Sequence, residues 1–124
     1  MRLGHLLLIA ALAAGSFPAF ADPPAKCKAQ AAAQQSTQLL RSAELALSTK
    51  DYERANGLLK QGLVELDYFY QPHDPATLLD DTGMHLVLAD AADQRGDLTM
   101  AATIRRNILG ERLRLFGKFH PQGC

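Results

Sequence analysis

The 124-residue sequence contains no tryptophan and only two cysteines. Runs of Val, Ile and Thr are missing, which removes the material from which sheets are built. No Cys-x-x-Cys-His occurs, so covalent haem attachment is excluded. There is no Gly-rich phosphate loop, and Gly96 reads as a helix stop. Ser36, Ser42 and Ser48 lie in helical or capping contexts without a nucleophile elbow. Asp80 and Asp81 are adjacent, so on a helix they point to different sides and cannot act as a facing acid–base pair. Neither charge is in excess, with 13 Lys+Arg against 13 Asp+Glu. That balance gives no electrostatic reason to seek nucleic acid or an anionic membrane. No catalytic set, metal site or cofactor is expected.

What the chain does have begins with an export signature. Arg2 precedes a short apolar stretch from Leu6 to Ala14, and Ala19-Phe20-Ala21 offers the small-x-small pattern of a cleavage site. The apolar stretch is too short to cross a hydrocarbon core of about 30 Å. Residues 1–21 are therefore expected to be a secretory signal cut before Asp22, with no membrane insertion after cleavage. A lipoprotein would need its cysteine directly after the cut, and Cys27 lies too far downstream. The expected location is the periplasm or the medium. In such an oxidising compartment Cys27 and Cys124 invite a disulfide, closing a loop of almost the whole domain. Two free thiols or an intermolecular bridge are the alternatives.

Residues 22–26 form a Pro-stiffened lead, and residues 27–124 read as one all-α domain of four helices. The Ala-, Leu-, Gln-, Arg- and Glu-rich composition favours helix. The first helix is predicted from Cys27 to Ser48. The second is capped by Asp51 and carries Tyr52, Ala55, Leu58, Leu59, Gly62, Leu63 and Leu66 on one stripe. Gly62 falls on that stripe, which predicts close approach of a neighbouring helix, whereas Gly57 has no evident use. The turn from Tyr70 to Pro75 leads into a third helix ending near Gln94, with Leu79, Leu86, Ala89 and Ala92 inward. Asp97 caps the fourth, which carries Leu98, Ala101, Ile104, Ile108 and Leu115 inward and ends at Gly117.

The two halves match in register. Asp51, Tyr52, Ala55, Leu58, Leu63 and Pro75 correspond to Asp97, Leu98, Ala101, Ile104, Leu109 and Pro121, each pair 46 positions apart. A common offset over a helix and its following turn indicates a repeat. Lys50-Asp51-Tyr52-Glu53-Arg54-Ala55 and Gly96-Asp97-Leu98-Thr99-Met100-Ala101 resemble the Gly-x-Tyr-x-x-Ala turn of long, kinesin-light-chain-type tetratricopeptide repeats (TPRs). Phe116-Gly117-Lys118-Phe119-His120-Pro121 resembles the segment linking their units. The spacing is longer than the family's by roughly one helical turn, which is expected in the third helix. The resemblance implies two antiparallel helical hairpins.

It also implies a function in binding a protein or peptide. In such folds the first helix of each unit lines the concave face, which nominates Gln35, Gln38, Arg41 and Glu44 together with Asp81, His85 and Asp90. Asp80 and Asp81 with Met84 and His85 read as a loose acidic surface patch, and Asp90 and Asp93 as a solvated stripe. Arg105, Arg106, Arg112 and Arg114 read as solvated helix faces. Tyr52, Phe69 and Phe116 are expected to cover the ends of the core, and Tyr68 and Phe119 to be exposed contact anchors. Two further readings compete: a small metal-binding or enzymatic four-helix protein using His85, and a structural bundle that self-associates into a homo-oligomer.

Overall fold

A computed structural model of the chain describes residues 25–69 and 75–120. The expected export signal, residues 70–74 with His73, and the tail with Pro121 and Cys124 lie outside the described residues. Five helices follow one another: α1 (Ala25–Ser48), α2 (Tyr52–Asp67), α3 (Pro75–Leu78), α4 (Gly83–Gln94) and α5 (Leu98–Phe119). No strand occurs among the described residues. None of these helices is long and apolar enough to cross a membrane.

The repeat is visible bond for bond in the two hairpin turns. Asp51 and Asp97 cap α2 and α5 with nearly identical backbone angles, accepting from the amides of Arg54 (3.2 Å) and Met100 (3.1 Å). The amide of Asp51 donates to Ala46 at 2.8 Å and that of Asp97 to Ala92 at 2.9 Å. Lys50 and Gly96 donate to Leu47 and Asp93. This is the Schellman closure of α1 and of α4, and it requires a left-handed residue, supplied by Lys50 (φ 61°) and Gly96 (φ 79°). Further equivalent pairs extend back into the preceding helices. Ala43 and Ala89, Ala46 and Ala92, and Ser36 and Thr82 are all buried. Ala55 and Ala101, both 0% exposed, sit where each hairpin closes.

The repeat-packing positions divide between full and partial burial. Gly62, Ile108 and the two alanines are buried, while Tyr52, Leu58 and Ile104 are half-buried at the margin of the core. Gly62 has the predicted close neighbour. A Cβ there would lie 2.8 Å from Leu109 Cδ2 and 3.7 Å from the Ser36 carbonyl oxygen. The buried Ser36 hydroxyl donates to the Gly62 carbonyl at 2.9 Å, tying α1 to α2 at the same point.

Three expectations are corrected. The third helix is not continuous: after Leu78 the chain breaks at residues 79–82 and restarts at Gly83. Asp80 causes the break by accepting from both the amide (2.9 Å) and the hydroxyl of Thr82, an Asx-type turn that competes with helix. Leu79, in that turn, is exposed rather than inward. Gly117 does not end the last helix, which continues to Phe119. His120 leaves it at φ −129°, ψ 66°, outside the helical region that a following proline disfavours. The first helix, expected from about Cys27 to about Ser48, runs from Ala25 to Ser48.

Glycine substitutions separate exposure from close approach. Gly57 is exposed with nothing within 4 Å of a built Cβ, so Gly57→Ala should stabilise by about 1 kcal/mol through helix propensity. In Gly62→Ala the clash with fully buried Leu109 should outweigh that gain, for a net loss on the order of 1 kcal/mol. Lys50→Gly should stabilise by about 1 kcal/mol by relieving the left-handed backbone. Urea denaturation of the three variants checks all three signs.

Candidate functional site

The expected binding residues do not share one face. α5 packs against α1, α2 and α4, whereas α1 and α4 do not touch among the described residues. The second hairpin therefore meets the first through its second helix, and the equivalent buried stripes of α2 and α5 face each other. Asn56 lies near Arg105, Gly62 near Leu109 and Asp67 near Arg112, so the two helices run in the same direction. The continuous concave surface expected from the first helix of each unit is not formed. Two separate depressions lie at its two halves.

The larger, about 530 Å³, lies between α1 and the end of α5. Helical spacing brings Gln30, Gln34, Thr37, Gln38 and Arg41 to one side of it, and Leu113 and Phe116 give it an apolar floor. Phe116 is 1% exposed and stacks on the His120 ring at 4.4 Å between centroids. Gln30 Nε2 donates to the His120 carbonyl at 3.4 Å, joining the walls at one end. Gln38 and Arg41 are exposed, and Arg41 has no ion-pair partner among the described residues. Gln35 points the other way, toward Glu65 and Phe69 of α2. Glu44 is exposed and borders neither depression.

The smaller depression, about 290 Å³, holds Asp81 and His85 opposite Ile104, Asn107 and Glu111 of α5. Among the described residues no three His, Cys, Asp or Glu side chains converge as a metal site. Tyr68 is 80% exposed and rests edge-on against Phe69, while Phe119 is half-buried.

Arg105 and Arg112 are not solvated. They are 2% and 7% exposed and form the polar centre of the molecule. Arg105 donates to Asn56 Oδ1 (2.9 Å), Asp90 Oδ1 (2.9 Å) and Asp93 Oδ2 (2.6 Å). Arg112 donates from Nε to Asp80 Oδ2 (2.6 Å) and to the Thr82 hydroxyl (3.0 Å). Its Nη1 donates to both oxygens of Asp67 (2.7 and 3.0 Å). Asp90 is thus an ion-pair partner rather than a free binding group, although its side chain remains largely exposed. Asp80 is buried in its pair, not part of a surface patch, and Asp93 is shared with Lys60 at 3.1 Å. Arg106 and Arg114 lie nearer the surface, Arg114 pairing with Glu111.

The sequence carried a signal for this cluster. At the 46-residue offset Arg105 and Arg112 stand where the first copy has the buried Leu59 and Leu66. A charged residue at a core position of one copy implies acids nearby to meet it. Burial opposes the charge of Arg105, yet the carboxylates of Asp93 and Asp90 overcome this and hold the guanidinium above its ordinary value. The hydrogen bond from Arg105, aided by Lys60, depresses Asp93 despite its burial. Asp67 goes the other way, because burial raises its carboxyl more than Arg112 lowers it.

These shifts give a pH dependence with a definite sign. Asp93 is depressed in the folded state, so its contribution is complete above the ordinary carboxylate value of 3.8 and is lost as pH falls through the lower folded value. Thermal denaturation below pH 4 should therefore be flatter in Asp93→Asn than in the parent. Removing the cation, as in Arg105→Ala, takes the buried donor from Asn56 and Asp93, of which Asp93 keeps Lys60 while Asp90 stays solvated, and should cost about 2 kcal/mol at neutral pH. Arg106→Ala should change stability little.

No family model, curated protein or solved structure matches the chain.

Proposed function

We propose that the protein is an exported TPR-like module of two hairpins that holds a protein or peptide partner in the cell envelope, using the α1–α5 groove. The observation that carries the reading is the groove's chemistry. Three exposed residues with polar ends (Gln34, Gln38 and Arg41) border an apolar floor of Leu113 and Phe116. Amide side chains suit the main chain of an extended peptide, the floor suits an apolar side chain, and Arg41 suits a carboxylate. Gln38 and Arg41 are the two nominated residues that the groove brings together.

The expected Cys27–Cys124 bridge fits the same site. Cys27 lies in the first turn of α1, three residues before Gln30, and Gln30 reaches the carbonyl of His120, four residues before Cys124 in sequence. A bridge there would close the end of the groove and stabilise the fold by roughly 4 kcal/mol on the chain-entropy estimate. Export through the N-terminal signal supplies the oxidising compartment such a bridge needs. The matched turns at Lys50-Asp51 and Gly96-Asp97 support the TPR resemblance. The packing of α5 on the first hairpin departs from it.

A photo-crosslinking side chain at position 38 in expressing cells should give a discrete adduct with one envelope protein. The same group at position 44, on α1 but outside the groove, should not. Arg41→Glu should weaken capture of that protein by about tenfold or more. Equal labelling from both positions removes the reading.

A further inference from the structure

The α1–α5 groove has a spacing as well as a chemistry. α1 and α2 form one hairpin and α2 runs with α5, so α1 and the end of α5 lie antiparallel. Contact of Gln30 Nε2 with the His120 carbonyl fixes their register. Equal rise along both helices then sets Phe116 opposite Gln34 and Leu113 opposite Thr37, with Arg41 about 6 Å beyond the level of Leu113. Gly62 gives an independent check. A Cβ there would meet both Leu39 and Leu109, which fall within one turn of each other in this register. On the polar wall Gln34 and Gln38 are exposed and one turn apart, a separation of about 6 Å along the axis. Groups on one side of an extended chain recur every second residue, about 6.7 Å. The two repeats match closely enough for successive amides of α1 to meet the main chain of alternate peptide residues.

Resting on the groove as the peptide site, we infer that it selects an extended segment in which an acidic residue stands two positions from a large apolar one. The carboxylate pairs with Arg41, and the apolar side chain lies on Leu113 and Phe116. Arg41 is exposed and has no ion-pair partner among the described residues. No Asp or Glu is among the described residues that line the groove, so nothing there repels an acid. Side chains on a helix lean toward its N-terminus, which carries the Arg41 guanidinium toward the apolar floor. The spacing follows from the extended chain. Adjacent side chains point to opposite faces, so an acid next to the apolar residue would turn away from Arg41. A separation of four residues spans about 13 Å and overshoots Phe116, about 10 Å from the level of Arg41. Two residues, about 6.7 Å, reach the Leu113 side of the floor.

Fluorescence anisotropy of the purified protein with short labelled Gly-Ser peptides tests this. Each peptide carries one Glu and one Leu, in either order, placed adjacent, two apart or three apart. In one order the two-apart peptide should bind at least about fivefold tighter than the other spacings, and exchanging its Glu for Gln should weaken it about tenfold. Arg41→Glu, with circular dichroism confirming that the variant stays helical, should lose that peptide and prefer the one carrying Lys in place of Glu. Affinity that ignores the spacing, survives the loss of the acid or is unchanged in Arg41→Glu overturns the inference, as does failure of every peptide to bind. In any of these cases an adduct from position 38 keeps the groove as a binding site with a different register. If that adduct is missing too, the groove reading falls with it.

Discussion

Two buried guanidinium groups, seven residues apart on α5, hold the two hairpins in a single register. Neither Arg105 nor Arg112 reaches water to any extent, so each must be met by acceptors from the elements around it. Arg105 takes them from α2 and α4, and Arg112 from the end of α2 and the break before α4. Sliding α5 along α2 by one turn would separate both arginines from their partners at once. An apolar interface of the same area has no comparable penalty for slippage, so these ion pairs contribute to specificity of arrangement more than to net stability.

That constraint sets how α5 lies against α2. The first copy offers Leu59 and Leu66 to the interface, and the second offers arginine at the same positions. Two leucine stripes would meet in several offsets of similar energy. One leucine stripe against one arginine pair, with Asn56 and Asp67 as fixed acceptors, admits one. The break at residues 79–82 belongs to the same system, because Asp80 serves both the Thr82 turn and Arg112. The break thereby delivers a carboxylate to a buried cation.

The consequence for binding is a divided surface. With α5 rather than α4 against α1 and α2, the polar side of α1 faces the end of α5, and the outer side of α4 has no neighbour among the described residues. The first arrangement makes a groove with an apolar floor and an amide-rich wall. The second leaves Met84, Val87 and Leu88 exposed as an apolar stripe.

Most of the local structure was legible in the residues. Asp51 and Asp97 as caps, the alanine positions that close each hairpin, the close approach at Gly62 and the 46-residue repeat follow from short-range rules. Such rules depend on neighbours within one or two turns. What sequence alone could not decide was which helix of the second hairpin would meet the first. Helical spacing identifies the buried stripe of α5 but not what lies against it. Arg105 and Arg112 therefore read as surface charges, Asp80, Asp90 and Asp93 as solvated acids, and the seven nominated residues as one face. Pairing a buried charge is a long-range condition, met by side chains 12 to 49 positions away in sequence. Local pattern sets the helices and their caps, and only the packed tertiary structure decides the partners of the buried charges.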